Sequence, residues 1–335
     1  MQPDRRRSPW ICSHHYRTKM KPDDISYNFS VTKVMCILMV ATAHYFGGLL
    51  WIPTTVALFV FAFSSGYFSA SKYHGDFSIS RFWKAKLIRL GYSLVVTNCF
   101  LLLLFLIQAK SKIFSWDTLL SMVGLNAILS WFGIHNHSPF GNGLWFLAVL
   151  WMFYILYPVI ERTNRNPKVA FIFILCMLGI TTYLNFTVLV GYELWITIFG
   201  FLFGTYIATI KSRLPFIYAS GILIASITTM LALNKYWGIH SLNYYFILVS
   251  AVAICHILLT RRLPDIIGPI SSILAGSVLE IYLIHTYLFI KTPNYPFLGY
   301  VVSMLLIILV AMFLSATRDR LKTTIDKNRY CAVKN

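Results

Sequence analysis

Charge is what this sequence has least of. Only 11 of its 335 residues are acidic, and charged residues together make up 12% of the chain, about half the share that a water-soluble domain carries. Hydrophobic residues reach 58% and the mean hydropathy is +0.68. An ordinary soluble domain is excluded, and a polytopic membrane protein is left. Alternating polar and apolar stretches are missing too. The apolar runs are long and continuous, so the spans are helices and not barrel strands. No CxxC pair occurs among Cys12, Cys36, Cys99, Cys176, Cys255 and Cys331, and none of the six falls in an expected outer loop. Neither a disulfide framework nor a metal cluster is indicated. A cleavable signal peptide is not expected either, because residues 1–30 are polar and basic and the first apolar run is long enough to stay in the membrane.

Runs long enough to cross the hydrocarbon lie near 34–51, 53–70, 90–109, 144–160, 169–187, 191–209, 215–234, 243–260, 274–290 and 297–316. The expected fold is an all-α membrane bundle of about ten transmembrane helices. With the N-terminus in the cytoplasm, 24 of the 29 Lys and Arg residues fall inside, four fall outside, and Lys33 sits at the inner edge of the first span. That asymmetry places both termini in the cytoplasm. The net charge of +18 therefore reports topology, and no nucleic-acid partner is expected. The chain divides into a basic tail at 1–30, a membrane domain at 31–316 and a second basic tail at 317–335. The Arg5-Arg6-Arg7 triplet reads as a topology determinant or a contact with the lipid surface.

Lys33 and His44 are eleven residues apart, three helical turns plus roughly 20°, so both lie on one face about 16 Å apart. Two readings fit: a snorkelling Lys with a structural His, or a functional stripe facing protein, ligand or water. Ser64, Ser65 and Gly66 allow close helix approach. Arg81, Lys84, Lys86 and Arg89 then form a basic cluster around Phe82 and Trp83. It reads as a positive-inside anchor or as a phosphate site at the inner mouth, with Arg89 deepest in the apolar run. The outer segment 110–143 is too long for a plain turn. Its His135 and His137 have no third ligand at metal spacing. Trp145 suits an outer aromatic belt. Glu193 falls at the outer boundary and His256 reads as a satisfied structural His. The ninth span carries Glu280, Tyr282 and His285; the last two share a face, whereas Glu280 and His285 do not.

Lys33-x10-His44, SSGYF at 64–68, the basic cluster ending in Arg89, LWFL at 144–147 and EIYLIH at 280–285, in that order, resemble the integral-membrane acyltransferase 3 family over about residues 25–316. Lys33 stands where Arg is commoner in the family, Gly91 where Pro is often near, and Leu150 where many members carry Glu. The resemblance implies a ten-span enzyme of the bacterial inner membrane. It would move an acyl group, acetyl by family prevalence, from cytoplasmic acyl-CoA to a hydroxyl of an extracytoplasmic glycan such as O-antigen or exopolysaccharide. His44 would be catalytic, and Lys33, Arg81, Lys86 and Arg89 would bind the donor. Ser65, Trp145, Glu280, Tyr282 and His285 would support them, with no metal and no permanently bound cofactor.

The residue types fit that chemistry on their own. Acyl transfer to a hydroxyl needs a base, a site for the anionic carrier and groups to stabilise the oxyanion. A neutral imidazole is the natural base near neutral pH. Coenzyme A carries phosphates, which need fixed cations on the side where the donor is made. Two readings from other classes stand beside it: a transporter of polysaccharide or lipid-linked sugar, and a non-catalytic relative that senses or scaffolds envelope enzymes.

Overall fold

Gly66, Gly200 and Gly204 set the centre of the bundle. The computed structural model describes residues 20–334 apart from 49, 142 and 189–191; Arg5, Arg6, Arg7, Cys12, Arg17 and Lys19 lie outside the described residues. Helices α1 (Pro22–Tyr45), α2 (Trp51–Tyr73) and α3 (Ile79–Ile107) are followed by two short helices, α4 (Trp116–Met122) and α5 (Asn126–Trp131). Then come α6 (Trp145–Asn164), α7 (Pro167–Thr187), α8 (Tyr192–Ile210), α9 (Phe216–Ala232) and α10 (Asn243–Thr260). The chain closes with α11 (Gly268–Ala275), α12 (Val278–Ile284) and α13 (Pro296–Lys334). Among the described residues nine helices are long and apolar enough to cross a membrane. The polytopic helix bundle expected from composition is the fold.

α2 and α8 pack backbone to backbone. A methyl group on Gly200 would stand 2.8 Å from the Phe59 carbonyl oxygen, and one on Gly66 or Gly204 would collide with the carbonyls of Phe201 and Phe63. Small residues four apart let helix axes close up in lipid, where van der Waals packing drives association. α1, α6 and α10 pack around this pair, while α7 and α9 lie outermost and turn most of their side chains outwards. Phe153 and Phe201 stack at 4.2 Å across α6 and α8, and Phe82 stacks on Tyr157 at 4.6 Å across α3 and α6.

Three helix ends differ from the spans read off hydropathy. α1 starts at Pro22, with proline in its first turn and Asp23 and Asp24 beside the positive end of the dipole. Residues 22–30, expected in the basic tail, thus belong to the first helix. Lys33 accordingly stands three turns from the start of this helix. α3 starts at Ile79, where the Ser78 side chain accepts from the Arg81 amide at 3.4 Å, so the basic cluster rides on the first turns of this helix. α13 runs unbroken to Lys334, because nothing after residue 316 stops a helix. Hydropathy finds only the apolar part of each helix, and the caps lie beyond it.

The ninth span is discontinuous. α11 and α12 are separated at Gly276-Ser277, and a short 3-10 turn, His285–Tyr287, follows α12. At the end of the bundle away from the basic loops, the long segment before α6 is pinned to the bundle. Asn98 donates to the Met122 carbonyl at 2.8 Å, and the Trp151 indole donates to the Val123 carbonyl at 2.9 Å. At the opposite end, Arg262 pairs with Asp24 at 2.6 Å, tying the start of α1 to the loop after α10.

Gly204→Ala should lower stability by about 2 kcal/mol, since the backbones must part to admit a methyl. Gly221→Ala on α9, with nothing within 4 Å, should be neutral or slightly stabilising. Thermal unfolding of the two variants in one detergent tests the contrast.

Candidate functional site

A cavity of about 760 Å³ opens among α1, α2, α3, α6, the α11–α12 break and α13. The alternation of up and down helices fixes its polarity. Towards the end of the bundle that carries the basic loops, Lys33, Lys72, Lys86, Arg89, Arg318 and Lys322 line it, with Asp319 as the one carboxylate among the described residues. Further in stand the hydroxyls of Ser64, Ser65, Ser69 and Tyr154, and the far end is closed by Val40, Leu58, Phe61, Phe146, Leu147 and Tyr282. It is cationic at the mouth and apolar at the tip.

Lys33 and Lys86 are held by aromatic faces. Lys33 Nζ lies 5.3 Å over the Phe68 ring. Lys86 Nζ donates to Ser69 Oγ at 2.9 Å and sits 4.6 Å over Tyr154 and 5.2 Å over Phe82. Tyr154 in turn is within hydrogen-bonding reach of Ser65. Lys33, Lys86 and Arg89 stand close enough to repel one another. Among the described residues no carboxylate pairs with any of the three. Aromatic faces recover part of the desolvation of the lysines, but three clustered cations without a counter-charge in a membrane helix bundle are costly until an anion joins them.

Arg318 was assigned to the basic tail by hydropathy and lies in the cavity wall. It donates to Glu280 Oε1 at 2.7 Å, to the Gly276 carbonyl at 3.1 Å and to Asp319 Oδ1 at 2.9 Å. Ser315 Oγ also donates to the Gly276 carbonyl at 3.2 Å, and Ser93 Oγ donates to Glu280 Oε1 at 2.7 Å. Glu280 is therefore the counter-ion of Arg318 and does not reach His285. Lys72 and Lys322 were likewise read only as topology. No local pattern links Arg318 to Glu280, 38 positions away; the missing breaker after residue 316 was the only hint.

The two histidines meet at the end of the bundle opposite the basic loops. His44 is exposed at the last turn of α1, His285 is wholly buried, and their ring centroids are 5.1 Å apart. Val40, one turn before His44, and Tyr282, three residues before His285, both line the tip of the cavity. The Tyr282 hydroxyl accepts from the Phe146 amide and donates to the Gly143 carbonyl, each at 3.0 Å. It thereby caps the first turn of α6, which has no side-chain cap of its own.

Of the residues singled out in the sequence, Lys33, Ser65, Lys86, Arg89 and Tyr282 line the cavity, and His44 and His285 stand just beyond its tip. Arg81 does not join them. It pairs with Asp76 at 3.0 Å on the surface, because it lies a turn and a half closer to the helix start than Lys86. Trp145 is half-buried against Phe146 and outside the cavity. His135 and His137 are exposed, and His256 accepts from the Leu214 amide at 3.2 Å.

Residues 26–316 match the family model described as an acyltransferase domain, acyltransferase 3. No curated protein and no solved structure matches the chain.

Arg318→Ala leaves Glu280 charged and wholly buried, which should cost about 3 kcal/mol. Joining it to Glu280→Gln should recover most of that loss, as read by thermal unfolding of the single and double variants.

Proposed function

Because the chain belongs to the acyltransferase 3 family, and from its site geometry, we propose that it transfers an acyl group from acyl-CoA, acetyl-CoA in the first instance, to a hydroxyl of an extracytoplasmic glycan. The observation that carries this reading is the cluster of Lys33, Lys86 and Arg89, uncompensated at the mouth of a cavity whose apolar tip ends one turn from His44. A phosphate-bearing carrier supplies the missing negative charge. The apolar tip suits a pantetheine arm and a short acyl chain, and the volume falls in the range of small-molecule sites.

In this reading the nucleotide end rests on Lys33, Lys86 and Arg89, joined by Lys72, Arg318 and Lys322 nearer the opening. The thioester reaches past Val40 and Tyr282. His44 takes the proton of an acceptor hydroxyl that arrives from the outer side. The hydroxyl oxygen bonds to the acyl carbon, the carbon–sulfur bond breaks, and the proton passes to the departing thiolate. The basic loops then face the cytoplasm, and a bacterial inner membrane is the setting in which donor and glycan lie on opposite sides.

The test compares glycans of cells with and without the chain by mass spectrometry, alongside consumption of acetyl-CoA. A mass difference of one acyl group is expected, and correctly inserted His44→Ala should abolish it; full acylation by that variant would overturn the role of His44. Arg89→Ala should weaken acetyl-CoA binding by about ten- to a hundredfold, the size of a charge-assisted contact. Arg81→Ala, on the surface with Asp76, should change it by less than about twofold. Isothermal titration of the purified variants reads both.

A further inference from the structure

His285 has a nitrogen that none of the described residues around it uses. The side chain is 0% exposed, and its Nδ1 lies 2.7 Å from the Tyr282 carbonyl oxygen. A carbonyl only accepts, so Nδ1 carries the proton, and the neutral ring then holds its lone pair on Nε2. That Nε2 is buried and has no hydrogen-bond partner among the described residues. A buried acceptor left open is costly and rare. Among the described residues three rings touch His285: Tyr282, Phe289 and His44. The Tyr282 hydroxyl is committed to Phe146 and Gly143, and Phe289 has no donor. His44 is the ring that can donate.

We propose that His285 is a positioning residue for His44: its Nε2 accepts a hydrogen bond from the His44 ring and so decides which His44 nitrogen faces the acceptor hydroxyl. Two imidazoles joined by an N–H···N bond of about 2.9 Å have centroids roughly 5 Å apart, and the observed separation is 5.1 Å. His44 is exposed, and its χ2 torsion is a broad one, so a turn of the ring aligns its N–H with Nε2. Since His285 can offer only a lone pair at that atom, His44 must present a proton there. The other His44 nitrogen is left unprotonated on the outer side, ready to take the hydroxyl proton. Once it has done so, the bond to His285 becomes charge-assisted and stronger. His285 keeps its own proton throughout, and the proton that moves goes from hydroxyl to His44 to thiolate.

This proposal rests on the reading of His44 as the base, and two amide replacements separate the nitrogens of His285. His285→Asn keeps a donor for the Tyr282 carbonyl and has no acceptor at the Nε2 position. His285→Gln places its carbonyl oxygen where Nε2 stood. The full-length variants are purified, their binding of acetyl-CoA is measured to establish that the cavity is intact, and the modification of His44 by diethylpyrocarbonate is timed by peptide mass spectrometry. Acylation of the surface glycan is read in the same cells. Asn is expected to bind acetyl-CoA like the parent protein, while His44 modification and glycan acylation fall on the order of tenfold, the size of one hydrogen bond. Gln is expected to restore both to within about threefold. Parental His44 reactivity and acylation in the Asn variant, or equal loss in Asn and Gln, overturns the positioning role alone when His44→Ala is inactive. Acylation that survives His44→Ala overturns both readings.

Discussion

The pairing of Arg318 with Glu280 across the broken ninth span is the contact on which the site depends. A helix interrupted inside a membrane exposes carbonyls that lipid cannot satisfy, so the break persists only where protein supplies donors. Here the last helix supplies them, with Arg318 and Ser315 both on the Gly276 carbonyl. The same guanidinium neutralises Glu280, which also takes a hydroxyl from Ser93 on α3. One residue therefore holds three elements together at the cavity wall. Tyr282 and His285 follow Glu280 by two and five positions, so their placement at the far end of the cavity is inherited from this anchor.

α1 acts as the ruler of the site. Lys33, Ile37, Val40 and His44 recur at helical spacing on one face. The first three line the cavity and the fourth stands beyond its tip. The bundle surrounds that face with the aromatic supports of the lysines, Phe68 and Tyr154. Their rings stabilise the cations without pairing them, which leaves the positive charge available to a ligand. A carboxylate in the same place would have filled the site from within.

Much of this was legible in the sequence because membrane burial imposes strict rules on charge. Composition alone excluded a soluble fold, and the eleven-residue spacing put Lys33 and His44 on one stripe. Lys86 and Arg89 stand out for a similar reason, as cations at the edge of an apolar run, and they line the cavity together with Ser65. Long-range pairing was not legible. Nothing near Arg318 announces Glu280, and a cation after a hydrophobic run reads the same whether it faces solvent or folds back. Arg81 shows the reverse, since it sits in the same cluster on a part of α3 that the cavity does not reach. The GFLFG segment at 200–204 carries the glycine spacing of a close helix contact, a signal present in the sequence that hydropathy passes over.

The apolar tip of the cavity has a consequence for economy. Water is chemically a competing hydroxyl, and any enzyme that activates a thioester risks squandering it by hydrolysis. Val40, Leu58, Phe61 and Leu147 surround the tip with side chains that give water no partners. The exposed His44 is on the far side of that collar. In the proposed reaction, the wet base and the dry thioester are separate compartments until an acceptor bulky enough to displace solvent brings them together. Fidelity against hydrolysis would then be a property of the walls, independent of how fast the imidazole works.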